Sequence, residues 1–229
     1  MGNPAAGGGR WVEVAPERFA TWAGAFERRH GGAGVAGGPA VVVLTGADGA
    51  VAECHVPFPP MPAGPAEGAG SVAACSSAVA AHAAAARTVG VLLVRLGGYA
   101  AGVFAGAPPE LVASKTGSRL VHGRSAAGGW SQHRFARRRE KQAAEALDAA
   151  AGAAVRVFGA FAGDLDAVVL GGDRRTAAGL RGEPRLRPYL ALATERFLTV
   201  PDPRLAVLRE TPRRFRALRI RLTDPPDPA

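Results

Sequence analysis

The stretch His122-Gly123-Arg124-Ser125-Ala126-Ala127-Gly128-Gly129-Trp130-Ser131-Gln132-His133-Arg134-Phe135-Ala136-Arg137-Arg138-Arg139 changes character in the middle. Its first half is small and glycine-rich, which sets a loop. Its second half opens an apolar series, Phe135, Ala146, Leu147, Ala150, Ala154, Val157, Phe158 and Phe161, whose near-3.6 spacing predicts an amphipathic helix from about Ser131 to Phe161. Ser131 is a candidate cap for its first turn. Arg134, Arg138 and Lys141 lie three or four residues apart and so share one helix face, with Arg137 and Arg139 alongside and Phe135 turned to the core. Such a stripe either holds phosphates or is a solvated face relieved by Glu140 and Glu145, and its place beside a glycine-rich loop favours phosphate contact.

Upstream, the patterns alternate between strand and helix. Trp11 to Val14 reads as a short strand, and Pro16 opens a helix with Phe19, Trp22, Ala23 and Phe26 on one face and Gly31 as its stop. Ala40 to Leu44 and Val51 to Phe58 form a hairpin about Asp48-Gly49, and Pro57 to Gly70 is a loop. Ser71 caps an alanine-rich helix running to about Arg87, whose small side chains suit close packing on a sheet. A second hairpin joins Val89–Leu96 to Tyr99–Ala105 through Gly97-Gly98, and strand-like Leu111–Ser114 and Arg119–His122 lead to the loop. After the long helix, Asp166–Leu170 is a strand, Asp173 starts a helix, Phe197–Val200 is strand-like, 203–214 is helical, and Arg216–Leu222 is a last strand. Interleaved strands and helices without an internal repeat predict an α/β fold, a mixed β-sheet covered by helices. The expected organisation is a disordered stretch 1–10, one domain over 11–222, and a proline-rich tail 223–229.

Lys and Arg outnumber Asp and Glu by 28 to 19, a net charge of +9, and nearly all of the cations are arginine. Arginine forks onto phosphate and stacks on bases, so nucleic acid is the first partner to consider, although a codon preference for arginine explains the same excess. A second cluster, Arg209, Arg213, Arg214, Arg216, Arg219 and Arg221, leaves RNA contact and a solvent-facing strand side equally open. The two cysteines, Cys54 and Cys75, and the five histidines show no metal-ligand spacing, so no metal, cofactor or disulfide framework is expected. His55 and His82 read as structural. The first ten residues lack a signal-peptide pattern, and the alanine-rich stretch 72–86 is too short and polar to span a bilayer, which points to a cytoplasmic protein without membrane contact.

The quoted stretch resembles the catalytic middle domain of eukaryotic and archaeal class-one translation release factors. There a strand ends in Gly-Arg, a Gly-Gly-Gln tip follows, and the chain enters a helix through Ser and Arg-Phe-Ala-Arg. The corresponding residues are Gly123-Arg124, Gly128-Gly129, Ser131 and Arg134-Phe135-Ala136-Arg137. The flanking order of hairpin, strands, long helix and the Leu165–Gly172 strand also agrees, so the resemblance covers roughly residues 85–222. It is closer still to the Vms-like release-factor family, whose bacterial members stand alone and begin with a segment like Trp11 to Gly31. The loop departs from the class-one pattern at Trp130, and its glutamine comes two residues later as Gln132; displaced glutamines are what the Vms-like group shows.

The resemblance implies a peptidyl-tRNA hydrolase in ribosome rescue or quality control, a monomer working with the large subunit, rRNA and peptidyl-tRNA, with Gln132 catalytic. Gly128, Gly129, Trp130 and Ser131 form the loop; Arg124, Arg134, Arg137, Arg138, Arg139 and Lys141 contact RNA. The chemistry suits these residue types. An activated ester needs an aligned water and a stabilised oxyanion more than a strong acid or base, and a glutamine amide offers both donor and acceptor. His133 lacks the partners of a general base. With no codon-reading segment in evidence, stop-codon decoding is not expected. The alternatives are cleavage at the tRNA 3′ end, and a ribosome-binding factor that has lost its chemistry. The loop Gly123–Trp130 is expected to order only against RNA, because its small residues bury little apolar area.

Overall fold

A computed structural model describes residues 3–4, 8–62, 70–118 and 131–225; the side chains of 3, 4, 131–140, 142 and 143 fall outside that description. In chain order the elements are β1 (Asn3–Pro4), β2 (Arg10–Val14), α1 (Pro16–Arg29), β3 (Ala33–Gly37), β4 (Val41–Gly46), β5 (Val51–His55), α2 (Val72–Ala84), β6 (Val89–Arg95), β7 (Gly98–Ala105) and β8 (Glu110–Ser118). They continue as α3 (Ser131–Gly159), β9 (Ala167–Gly172), α4 (Arg174–Ala178), α5 (Arg187–Leu190), β10 (Ala193–Leu198), α6 (Leu205–Arg209), α7 (Thr211–Phe215) and β11 (Leu218–Thr223). Two compact units result, Met1–Ala85 with Arg213–Ala229, and Ala86–Pro212, where the sequence leads one to expect a single domain over 11–222.

The first unit is a six-stranded antiparallel sheet in the order β1-β2-β11-β5-β4-β3, with α1 and α2 in one core with it. Alternation does the sorting. Val42 and Leu44 of β4, Ala52 and Cys54 of β5, and Leu218 and Ile220 of β11 are buried, and their neighbours along each strand turn to the other face. Pro16 starts α1, whose Phe19, Ala23 and Phe26 are buried, and Gly31 at φ 70° turns the chain away after the helix ends. Ser71 Oγ accepts a hydrogen bond from the Ala74 N–H, as a capping serine should. The alanine-rich α2 stops at Ala84, short of Arg87, and lies against α1 as well as β3. Asn3 and Pro4 pair with Trp11 and Arg10, a short strand inside the stretch expected to be disordered.

The second unit is the mixed sheet that the sequence predicts. Its order is β10-β9-β6-β7-β8, with β10, β9 and β6 parallel and β6, β7 and β8 antiparallel. Six of the seven residues of β6 are buried, because β6 is central and both faces are apolar. Asp166 ties the starts of β6 and β9 together, accepting from the Thr88 N–H at 2.7 Å while its own N–H donates to the Thr88 carbonyl at 2.9 Å. One sheet face, with Leu92, Val94, Ala101 and Val103, shares a core with α3. On the other face α6 approaches β7, where Leu208 comes within 2.8 Å of the position a Cβ on Gly102 would take.

Several boundaries differ from expectation for local reasons. β8 runs from Glu110 to Ser118, longer than the strand expected at Leu111–Ser114, and its pairing with β7 shifts register at Val112; the strand expected at Arg119–His122 lies outside the described residues. β10 begins at Ala193 and ends at Leu198, so the strand expected at 197–200 is shifted towards the N-terminus by its pairing with β9. The helical stretch 203–214 is two short helices, with Glu210 ending the first and the Thr211 hydroxyl donating to the Leu208 carbonyl at 2.7 Å. Among the described residues no helix is long and apolar enough to cross a membrane.

Candidate functional site

The site is built on α3. Ala150, Ala151, Ala153, Ala154, Val157 and Phe158 are buried, and the alanines let the helix lie close on the sheet. Leu147 is the first residue of α3, among the described side chains, that packs into this core, and its Cδ1 would meet a Cβ on Gly179 at 2.8 Å. Lys141, Ala144 and Glu145 before it are exposed. Gln132, the second residue of the helix, stands fifteen residues from Leu147, so at 1.5 Å per residue the helix carries it about 22 Å from the first core contact.

Ser131, Gln132, Arg134, Arg137, Arg138, Arg139 and Lys141 all fall within the first eleven residues of α3. Arg124, Gly128, Gly129 and Trp130 lie outside the described residues, as does the whole loop Gly123–Trp130. The first four N–H groups of an α-helix have no intrahelical acceptor, and that of Gln132 is among them. Together with the helix dipole they favour negative charge at this end. The His133 side chain is outside the description.

The other candidates have work inside the first unit. Arg216 Nη2 donates to Glu17 at 2.8 Å, the Arg219 guanidinium lies 4.4 Å from the centre of the Trp11 ring, and Arg221 meets Glu53 at 3.5 Å. Three members of the second arginine cluster are thus engaged within their own unit. His82 Nε2 sits 3.2 and 3.1 Å from the carbonyls of Pro57 and Phe58, and the His55 ring lies 5.2 Å from Trp11. Cys54 and Cys75 are buried, and burial pushes both thiols up. Among the described residues no cluster of His, Cys, Asp or Glu could hold a metal ion.

No curated protein matches the chain. Among solved structures it is similar to an archaeal translation termination factor, aRF1, with 16% sequence identity and a TM-score of 0.43 over 73% of this chain and 47% of that one. It is also similar to an archaeal protein with 15% identity and a TM-score of 0.37 over 73% and 48% of the two chains. The chain therefore spans about half the length of each. The family model for the Actinobacteria/chloroflexi VLRF1 release factor matches residues 87–221, more than half of the chain, and includes all of α3 with the loop before it. The chain belongs to that release-factor family, and so to translation.

Proposed function

We propose that this protein hydrolyses the ester of peptidyl-tRNA on the large ribosomal subunit, in ribosome rescue or quality control, as the Vms-like group does. The observation that carries the reading is the place of Gln132, second in α3 and about 22 Å along the helix axis from Leu147, within a release-factor family match. In the reaction a water oxygen bonds to the ester carbonyl carbon, the carbonyl oxygen becomes an oxyanion, and the bond to the terminal ribose oxygen then breaks. The water's proton passes to that oxygen, leaving a peptide acid and a free tRNA hydroxyl. The Gln132 side-chain carbonyl accepts from the water and holds it on line, while an N–H of the same residue donates to the oxyanion. Placement supplies most of the catalysis, because the ester is already activated.

Gly128 and Gly129 give the loop room to enter a narrow RNA-walled cavity. Arg124, Arg134, Arg137, Arg138, Arg139 and Lys141 hold phosphates of rRNA and tRNA, and Trp130 offers a ring for a base. No metal or cofactor enters the scheme, and the protein works as a cytoplasmic monomer. The test is incubation of the full chain with large subunits carrying peptidyl-tRNA, followed by chemistry of the released tRNA end. A free terminal hydroxyl supports ester hydrolysis; a cyclic phosphate or a shortened 3′ end assigns cleavage of the tRNA instead; no release leaves a binding factor.

A further inference from the structure

At the end of the five-stranded sheet where β6 finishes, two hollows meet at Leu96. The larger, about 740 Å³, lies between the 96–98 turn, the last residues of β8 and the segment 202–205. The smaller, about 260 Å³, lies between the end of β6, Ala146 and Leu147 of α3, and Arg175 and Thr176 of α4. Leu96 lines both and is 63% exposed, the most exposed of the large hydrophobic side chains described. Among the described residues, Arg95, Arg175 and Arg204 also line them, against one carboxylate, Asp202. Arg95 is fixed: its Nη1 donates to the Val200 carbonyl at 2.8 Å and its Nε lies 3.8 Å from Asp202. Asp173 nearby is occupied, accepting from the N–H and hydroxyl of Thr176. The wall is also low. Gly98 has no positive φ, and a Cβ there would meet nothing nearer than 3.6 Å, so neither conformation nor packing demands glycine in it.

We propose that these hollows receive the sugar–phosphate backbone of the tRNA acceptor arm, with Arg175 and Arg204 on phosphates and Leu96 against a ribose or base. With Arg95 set against Asp202, Arg175 and Arg204 leave an excess of positive charge that suits a polyanion, and an exposed leucine between them suits the apolar face of a nucleoside. The choice of tRNA rests on the function proposed above. With Gln132 at the ester, an acceptor arm lying along α3 reaches the smaller hollow, which opens beside Leu147, about 22 Å down the helix axis.

The experiment measures binding, not turnover. Labelled protein is titrated with large subunits carrying peptidyl-tRNA whose ester is replaced by an amide, and with large subunits free of tRNA. Two variants are compared with the unaltered chain: Arg175→Glu with Arg204→Glu, and Leu96→Asp; all three positions are exposed, and unchanged melting curves check the fold. Both variants should bind the tRNA-bearing subunits about tenfold more weakly or worse. The charge-reversal variant should also lower the log–log salt slope by roughly 0.7 to 0.9 per lost phosphate contact. Binding to tRNA-free subunits should not change. Equal affinity for tRNA-bearing subunits in variant and unaltered protein overturns the inference, and so does an equal loss on both kinds of subunit, which assigns the hollows to rRNA or ribosomal protein. A Gln132→Ala chain that still releases peptide, beside hollow variants that lose tRNA-dependent binding, removes Gln132 from the chemistry and leaves the tRNA contact standing.

Discussion

Phe158 of α3 lies directly over Gly90 of β6, so close that a Cβ on Gly90 would sit 3.1 Å from the ring's Cε1. The same ring meets Tyr189 edge-on at 5.5 Å and is 1% exposed. This contact fixes the C-terminal end of the helix that carries Gln132. Phe158→Ala should cost about 3–5 kcal/mol, because the transfer free energy is lost and the alanine-lined neighbourhood has little to collapse into the space. Urea unfolding of the full chain measures it. A loss under about 1 kcal/mol would mean that α3 is anchored elsewhere.

Gln132→Ala should slow peptide release by about a hundredfold or more, the usual cost of removing one amide aimed at a developing oxyanion and its water. Affinity for tRNA-bearing large subunits should stay within about twofold, because only one side chain among many contacts is shortened. Single-turnover release assays with matched binding curves separate the two. Normal release by a well-folded variant removes Gln132 from the chemistry.

Replacing Arg134, Arg138 and Lys141 by Glu should weaken binding to tRNA-free and tRNA-bearing subunits alike, more steeply as salt rises. Each phosphate contact that disappears takes roughly 0.7 to 0.9 from the slope of log affinity against log salt. A triple variant with the slope of the unaltered protein would show that this helix face is only solvated.

His30 Nδ1 and Asp48 Oδ2 are 2.8 Å apart, joining the end of α1 to the β4–β5 turn. The His30 side chain first, and then the Ala50 N–H, hold the Asp48 carboxyl below its ordinary value of 3.8. A carboxylate with a depressed folded pKa adds stability that is present above the unfolded pKa and lost as pH falls through the folded one. Acid should therefore lower the melting temperature of the unaltered protein more than that of Asp48→Asn, with the difference developing below pH 3.8. The effect is small, because the pair is solvent-exposed. Parallel acid-side slopes for the two proteins would remove the pair from the stability of this turn.

Much of the fold is legible where a local pattern repeats. The 3.6-residue stripe of α3, the capping Ser71, the Asp48-Gly49 turn and the Gly97-Gly98 hairpin are signals carried by neighbours in the chain, and the structure places each element within a few residues of its expected ends. β3 is different. Ala33-Gly34-Val35-Ala36-Gly37 has two glycines and a single β-branched residue, so its propensity for strand is poor, and it becomes one by pairing with β4 and burying Val35. The hollows about Leu96 were illegible for a related reason: Arg95, Arg175 and Arg204 stand on three segments far apart in the chain, so no local pattern brings them together.

By itself, then, the sequence determined most element types, the mixed α/β class, and the place of Gln132 near the start of the long helix, because each depends on residues a few positions apart. Only tertiary structure decided the division into two sheets, since β11 takes its place between β2 and β5 from the far end of the chain. It also turned Arg216, Arg219 and Arg221 towards Glu17, Trp11 and Glu53. Partners so distant in sequence meet only once strand pairing and core burial have offset the entropy of closing the long loops between them.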